Sequence, residues 1–342
     1  MDSPGLRIGV LNTGIASGNG GDFIIMDAAL RQLDACFPLA QRIHFTTHEK
    51  LSRTSRRLQR DIAFNVACGT NLLHSHMAIV KQWQIGLLAS RWMKPVILLG
   101  VGWRSRASRA TSPYTRWLLK ALLSREGLHS VRDSYTRKKL EEIGIRNVVN
   151  TACPTMWPLT PDFCARIPAE KGEDAVATLT DYSPDPQRDR QLIDALCRAY
   201  RRVYFWCQGS GDHAYLSSLG KQGAVELIGA NLTSFDALLA DGALALDYVG
   251  TRLHGGIRAL QHGRRTLIVG IDHRAEEKRH DFNLPVVDRY AAADVLQRVI
   301  RAPAACDIRI PLESIQRWKE QFRGATAAGQ AETSTRKTGV VT

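Results

Sequence analysis

The feature that most restricts the fold is an alternation of short apolar runs with helical stretches, met twice along the chain. In the first set, residues 6–12, 41–46, 62–66, 95–101 and 130–132 read as strands, with helices over 22–36 and 134–143. A passage containing Pro154, Pro158, Pro161 and Pro168 follows, and then the alternation resumes. Strands are expected over 175–180, 202–207, 244–247 and 265–269, with helices over 187–200, 234–240, 255–262 and 309–323. Strands that alternate with helices form parallel sheets covered on both faces. The reading is an α/β protein made of two doubly wound, Rossmann-like domains facing a central cleft. The N-terminal domain spans 1–160 and the C-terminal domain 161–323. Residues 324–342 lack apolar periodicity and are expected to form a disordered tail.

Composition narrows the setting. Apolar residues make up 44% of the 342, enough for a sizeable core, yet no run approaches the roughly 18 needed for a membrane span. The first residues show no basic segment followed by a long apolar stretch, so a cytoplasmic protein is expected. The seven cysteines are scattered with no CxxC pair, which reads as reduced thiols rather than disulfides or a zinc site. His74-Ser75-His76 lacks carboxylate or cysteine neighbours, so no metal is expected there. The net charge is +13, and residues 1–160 carry +12 of it. A basic half suits nucleic acid, an anionic membrane surface or an anionic substrate. No zinc-finger or aromatic RNA-binding pattern accompanies the charge, so nucleic acid is not expected. The basic stretches 53–60 and 104–116 read either as solvated faces or as a peripheral contact with the inner face of an anionic membrane.

Four places could do chemistry, each where a strand gives way to a helix. The first is Asn19-Gly20-Gly21-Asp22, a glycine-rich turn that is either structural or a cradle for an anion, with Asp22 available as helix cap. The second, and strongest, is Arg252-Leu253-His254-Gly255. In an extended segment residues i and i+2 share a side, so Arg252 and His254 would converge on one ligand. Arginine offers a planar fork to carboxylate or phosphate, and histidine exchanges protons near neutral pH. The third is Arg132, which could instead pair with Asp133 inside its own domain. The fourth is Arg274 with Lys278, one helical turn apart, competing with surface pairing to Glu276 and Glu277.

In this order the four places resemble the polysaccharide pyruvyl transferase family. Asn19-Gly20-Gly21-Asp22 is similar to its N-terminal loop, Val131-Arg132-Asp133-Ser134-Tyr135 to its middle segment, and Arg252-Leu253-His254-Gly255 with Ala259 and Gly263 to its C-terminal signature. The resemblance runs over about residues 6–290. Where many members carry Asp-Pro, this chain has Cys153-Pro154, so no role is carried to that position. The resemblance implies the two-Rossmann build of glycosyltransferases. It also implies transfer of pyruvate from phosphoenolpyruvate to a sugar of an exopolysaccharide or cell-surface glycan, as a cyclic ketal and with no cofactor beyond that donor. His254 would then be the general acid/base, and Arg132, Arg252, Arg274, Lys278, Asn19 and Asp22 would bind substrate. The N-terminal domain would take a glycan or lipid-linked acceptor and the C-terminal domain the donor. A nucleotide-sugar glycosyltransferase and a binding-only member are the competing readings.

Overall fold

The computed structural model describes residues 5–106, 110–291 and 293–323; the expected tail at 324–342 lies outside them. The chain forms two compact units. Unit 1 takes the residues up to Ser17, Ile25–Pro154 and the chain from Pro311, whereas unit 2 takes Gly18–Ile24 and Thr155–Ile310.

Unit 1 carries strands β1 (Arg7–Asn12), β2 (Gln41–Thr46), β3 (Phe64–Cys68), β4 (Val96–Leu99), β5 (His129–Val131) and β6 (Val148–Asn150). The first four form a parallel sheet in the order β2-β1-β3-β4, and β5 pairs in parallel with β6. Backbone bonds from Gly100 N–H to Ser130 O (3.0 Å) and from Arg132 N–H to Val101 O (3.2 Å) continue the layer from β4 to β5. The interior of β1 and all of β4 are buried, the continuous apolar pattern of a sheet covered on both faces. Leu11, Leu98, Val101, Trp103 and Leu118 share one core.

Unit 2 carries β7 (Asp174–Thr178), β8 (Arg202–Phe205), β9 (Glu226–Leu227), β10 (Leu246–Gly250), β11 (Thr266–Gly270) and β12 (Val286–Asp288). They form one parallel six-stranded sheet in the order β12-β11-β10-β7-β8-β9. Counted from β7, this is the dinucleotide-fold order, which reverses direction between its first and fourth strands. A separate core of Ala177, Ile193, Phe205, Val249 and Ile300 packs around it.

Several expectations are corrected. The last helix, Leu312–Glu320, was expected in the C-terminal domain but belongs to unit 1. Gln321 fixes it there, accepting from Leu128 N–H at 2.7 Å and donating to Leu128 O at 3.1 Å. Phe322 packs edge-on against Phe37 (4.7 Å) and stacks on Phe64 (6.1 Å). Residues 18–24 go the other way, because Gly20 N–H donates to Gln208 O (2.7 Å) and Ser210 N–H to Gly18 O (3.0 Å). The segment 104–116 is more than a solvated face. The helix Pro113–Leu122 starts inside it, capped by Ser112, and buries Thr115, Leu118, Leu119 and Leu122. Among the described residues no helix is long and apolar enough to cross a membrane.

Candidate functional site

Ligands of open parallel sheets bind beyond the carboxyl ends of the strands where the strand order reverses. In unit 2 that point lies past β7 and β10, where the chain reads Leu179-Thr180-Asp181-Tyr182 and Thr251-Arg252. The two strand ends stay joined beyond the sheet. Thr251 N–H donates to Thr178 O at 3.0 Å, and the Thr180 and Thr251 hydroxyls lie 2.7 Å apart. Gly250 permits this approach, since a Cβ there would stand 2.7 Å from Thr178 N.

Arg252 occupies the cap position of the helix Leu253–Gln261. Its guanidinium is 2% exposed and held from several sides. Nε donates to Leu179 O (3.1 Å) and Asp212 Oδ2 (3.0 Å), while Nη2 donates to Asp181 Oδ1 (2.7 Å) and to Asp212 Oδ1. The Tyr182 ring lies beneath it at 5.1 Å. Tyr248 Oη donates to Arg252 O at 2.7 Å and fixes the backbone as well. Burial works against the charge, but the bonds and the charge of Asp212 outweigh it and hold the guanidinium protonated above its ordinary range. Gly209 leaves the space, because a Cβ there would meet Nη2 at 2.2 Å. Among the described residues Nη1 makes no hydrogen bond, so the fork is rigid on one side and available on the other.

His254 lies in the first turn of the same helix and is 6% exposed. The expected convergence through an extended strand is therefore corrected. Arg252 is extended, but His254 is already helical, and its ring is placed by the helix start rather than by strand alternation. The helix begins with its N–H groups and positive dipole end at this point, which favours a negatively charged ligand.

Asn19 enters the same unit. It precedes the helix Gly20–Cys36, and its Oδ1 accepts from Gly21 N–H at 3.0 Å. Asn19 is therefore the cap, and the capping alternative for Asp22 is not taken up: Asp22 sits in the first helical turn, 8% exposed. Asn19 Oδ1 also accepts from Gln208 Nε2 (2.9 Å). Gln208 was not anticipated from the sequence. Its Oε1 is buried, has no hydrogen-bond partner among the described residues, and lies 3.1 Å from where a Cβ on Gly255 would stand. The glycines of Cys207-Gln208-Gly209-Ser210-Gly211 after β8 were the available signal.

Arg274 and Lys278 separate. Asp272 caps the helix His273–Phe282 and takes the Arg274 guanidinium, with Nε to Oδ2 at 2.9 Å. Arg274 also donates to the Tyr182 hydroxyl and lies 5.7 Å from that ring, so Tyr182 joins Arg252 and Arg274. Lys278 is wholly buried, and Glu276 pairs with Arg279 on that helix. Arg132 belongs to unit 1 and is 1% exposed. It donates to Asp133 Oδ2 (3.3 Å) and to Asn71 Oδ1, and packs where a Cβ on Gly102 would clash. No group of three or more metal-ligating side chains occurs among the described residues.

Known structures share this build. UDP-GlcNAc 2-epimerase from Methanocaldococcus jannaschii, in complex with UDP-GlcNAc and UDP, is similar with a TM-score of 0.56 at 10% identity, over 94% of this chain and 100% of that one. S. aureus MnaA in its UDP co-structure is similar with a TM-score of 0.52 at 11% identity, over 89% and 92%. These likenesses show a shared α/β fold of two Rossmann-like units. No curated protein matches the chain. The family model for polysaccharide pyruvyl transferase matches residues 19–273, from the Asn19 cap through Arg132 and the Arg252–His254 helix start to His273. With three quarters of its length in that match, this chain belongs to the polysaccharide pyruvyl transferase family.

Proposed function

We propose that the protein transfers pyruvate from phosphoenolpyruvate to a sugar of an exopolysaccharide or another cell-surface glycan, closing a cyclic ketal across two hydroxyls. The observation that carries the reading is that Arg252 caps the helix starting at the strand-order reversal of unit 2, with His254 in its first turn. The donor bears a carboxylate and a phosphate, and Arg252 Nη1 offers two N–H groups on a guanidinium that Asp212, Asp181 and Tyr182 keep from moving.

His254 is the general acid in this reading. It gives a proton to the methylene carbon of the enol, and C2 becomes an oxocarbenium-like centre. One sugar hydroxyl attacks C2 and loses its proton. The phosphate departs with the C–O electron pair, and the second hydroxyl then closes the ring with loss of its own proton. Helix N–H groups and Arg252 offset the charge on the departing phosphate. Asn19 and Gln208 address a hydroxyl, through the buried Gln208 Oε1 that no described residue satisfies. Asp22, Arg274 and Lys278 remain candidates for substrate binding, and Arg132 for an anionic group, tested by donor titration of Arg132→Ala.

The test is incubation with phosphoenolpyruvate and candidate sugars, following phosphate release and a product heavier by pyruvate less water. Thermal shift with phosphoenolpyruvate and a panel of sugar nucleotides runs beside it. A shift with a sugar nucleotide alone, and no phosphate release, would favour glycosyl transfer.

A further inference from the structure

Between Asp61 and Glu126 the sequence runs 64 residues without one Asp or Glu, while holding nine Lys or Arg. Part of this acid-free segment, all within unit 1, forms the wall of an open groove of about 540 Å³. Trp83, Leu87, Trp92 and Tyr114 line it, with Lys50 and Lys81 among its lining residues. Two aliphatic side chains stand in solvent here: Leu88, a lining residue, at 78% exposure, and Ile79, next in sequence to the lining Ala78, at 81%. The charges that flank them in sequence are positive. Lys81, Arg91, Arg104 and Arg116 are all exposed, and Arg104 is tied to the groove loop through Gln82 Oε1 at 2.8 Å. Glu49, next to Lys50, is the acid nearest in sequence.

We propose that this face docks on a bilayer containing anionic phospholipid, with Ile79 and Leu88 entering the interface and Lys50, Lys81, Arg91 and Arg104 meeting headgroup phosphates. Exposed apolar tips accompanied by exposed cations match a surface whose phosphates lie just above hydrocarbon. A second copy of the chain would set equal positive faces against each other. A nucleic acid would meet the cations and leave Ile79 and Leu88 in water. The inference goes beyond the proposed transfer reaction and does not rest on it. Lys and Arg near an anionic leaflet each strengthen attachment by up to about fivefold, so contact by a few gives a reversible, salt-sensitive association.

Co-sedimentation with vesicles of phosphatidylcholine alone, and with graded phosphatidylglycerol, tests it. Binding is expected to rise with phosphatidylglycerol and to fall steeply at about 0.5 M salt, where the screening length is a few ångströms. The pairs Ile79→Ser/Leu88→Ser and Lys81→Glu/Arg91→Glu are each expected to weaken partitioning about tenfold or more. Arg53→Glu/Arg56→Glu on the helix Arg53–Leu58 alters net charge as much as the second pair and is expected to cost far less. All six substituted side chains are exposed, so circular dichroism should be unchanged. Equal recovery on neutral and anionic vesicles would overturn the proposal. So would wild-type binding by both groove pairs, an equal loss in the Arg53/Arg56 pair, or a dimer that Leu88→Ser dissolves.

Discussion

Gln208 donates through Nε2 to Asn19 Oδ1 at 2.9 Å, joining residues 189 positions apart. The bond sets which way the carboxamide faces. Asn19 Oδ1 already accepts from Gly21 N–H, so only the amide nitrogen of Gln208 can turn toward it, and Oε1 is directed elsewhere. That oxygen is buried without a partner beside the Gly255 backbone, and a buried acceptor left open costs free energy until a donor arrives. A sugar hydroxyl is such a donor.

Gln208→Ala is therefore expected to lower kcat/KM for the acceptor by about threefold to tenfold, the worth of one uncharged hydrogen bond. Steady-state kinetics with donor saturating and acceptor varied would show it. An unchanged acceptor kcat/KM in a folded variant would remove Gln208 from acceptor recognition.

For His254→Ala, the expectation is a loss of ketal formation of about 100- to 10,000-fold with phosphoenolpyruvate affinity largely kept. Single-turnover phosphate release separates the chemical step from binding. Near-normal turnover would mean that the proton comes from another group.

Arg252 is best tested with lysine, because alanine would leave the buried Asp212 without its counter-charge and cost about 3–5 kcal/mol of stability. Lysine keeps the charge and removes the fork. Arg252→Lys should weaken donor binding by about tenfold or more, at the level of one charge-assisted hydrogen bond. Isothermal titration would register this, with Arg56→Ala/Arg57→Ala as a surface control that leaves donor affinity in place.

His129 gives a pH dependence. It is fully buried between β4 and the chain at Ser124, accepting from Leu98 N–H at Nδ1 (3.3 Å) and meeting Ser124 O through Nε2 at 2.9 Å. That pattern suits the neutral ring, and burial lowers its pKa from 6.5 to about 4. A depressed histidine contributes stability in full above its unfolded pKa and loses it as pH falls toward the folded value. Urea midpoints are expected to correspond to about 3 kcal/mol less stability at pH 4 than at pH 7 from this group. A His129→Gln protein should show a flatter profile; an identical profile would assign the acid sensitivity elsewhere.

Legibility of the sequence followed burial. β4, β7 and β10 are buried along their length and β1 through its interior, so their apolar runs stand out against polar turns. The short strands β6, β9 and β12 pair over two or three residues and leave no such run; β9 is exposed at the sheet edge. β10 was expected to end at residue 247 yet continues to Gly250, because a glycine that reads as a strand break here admits the neighbouring Thr178 backbone. Arg252 and His254 were visible as residue types. The carboxylates that clamp Arg252 were not, since Asp181 and Asp212 reach it from 71 and 40 residues away. Capping by Asn19 rather than Asp22 turned on where the helix begins, a boundary shifted by the two glycines between them.

The return of the last helix to the first unit bears on how members of this family can recombine. Leu128 is held at both its N–H and its C=O by Gln321, and Phe37 and Phe64 are covered by Phe322. A chimaera joined at one crossover near Pro154 would import a foreign partner for Leu128, Phe37 and Phe64, and a foreign Gln208 for Asn19. Exchange of an intact unit takes four junctions, after Ser17, after Ile24, after Pro154 and after Ile310. Simple head-to-tail shuffling at one crossover is thereby penalised, and these two halves of the sequence are tied to evolve as one.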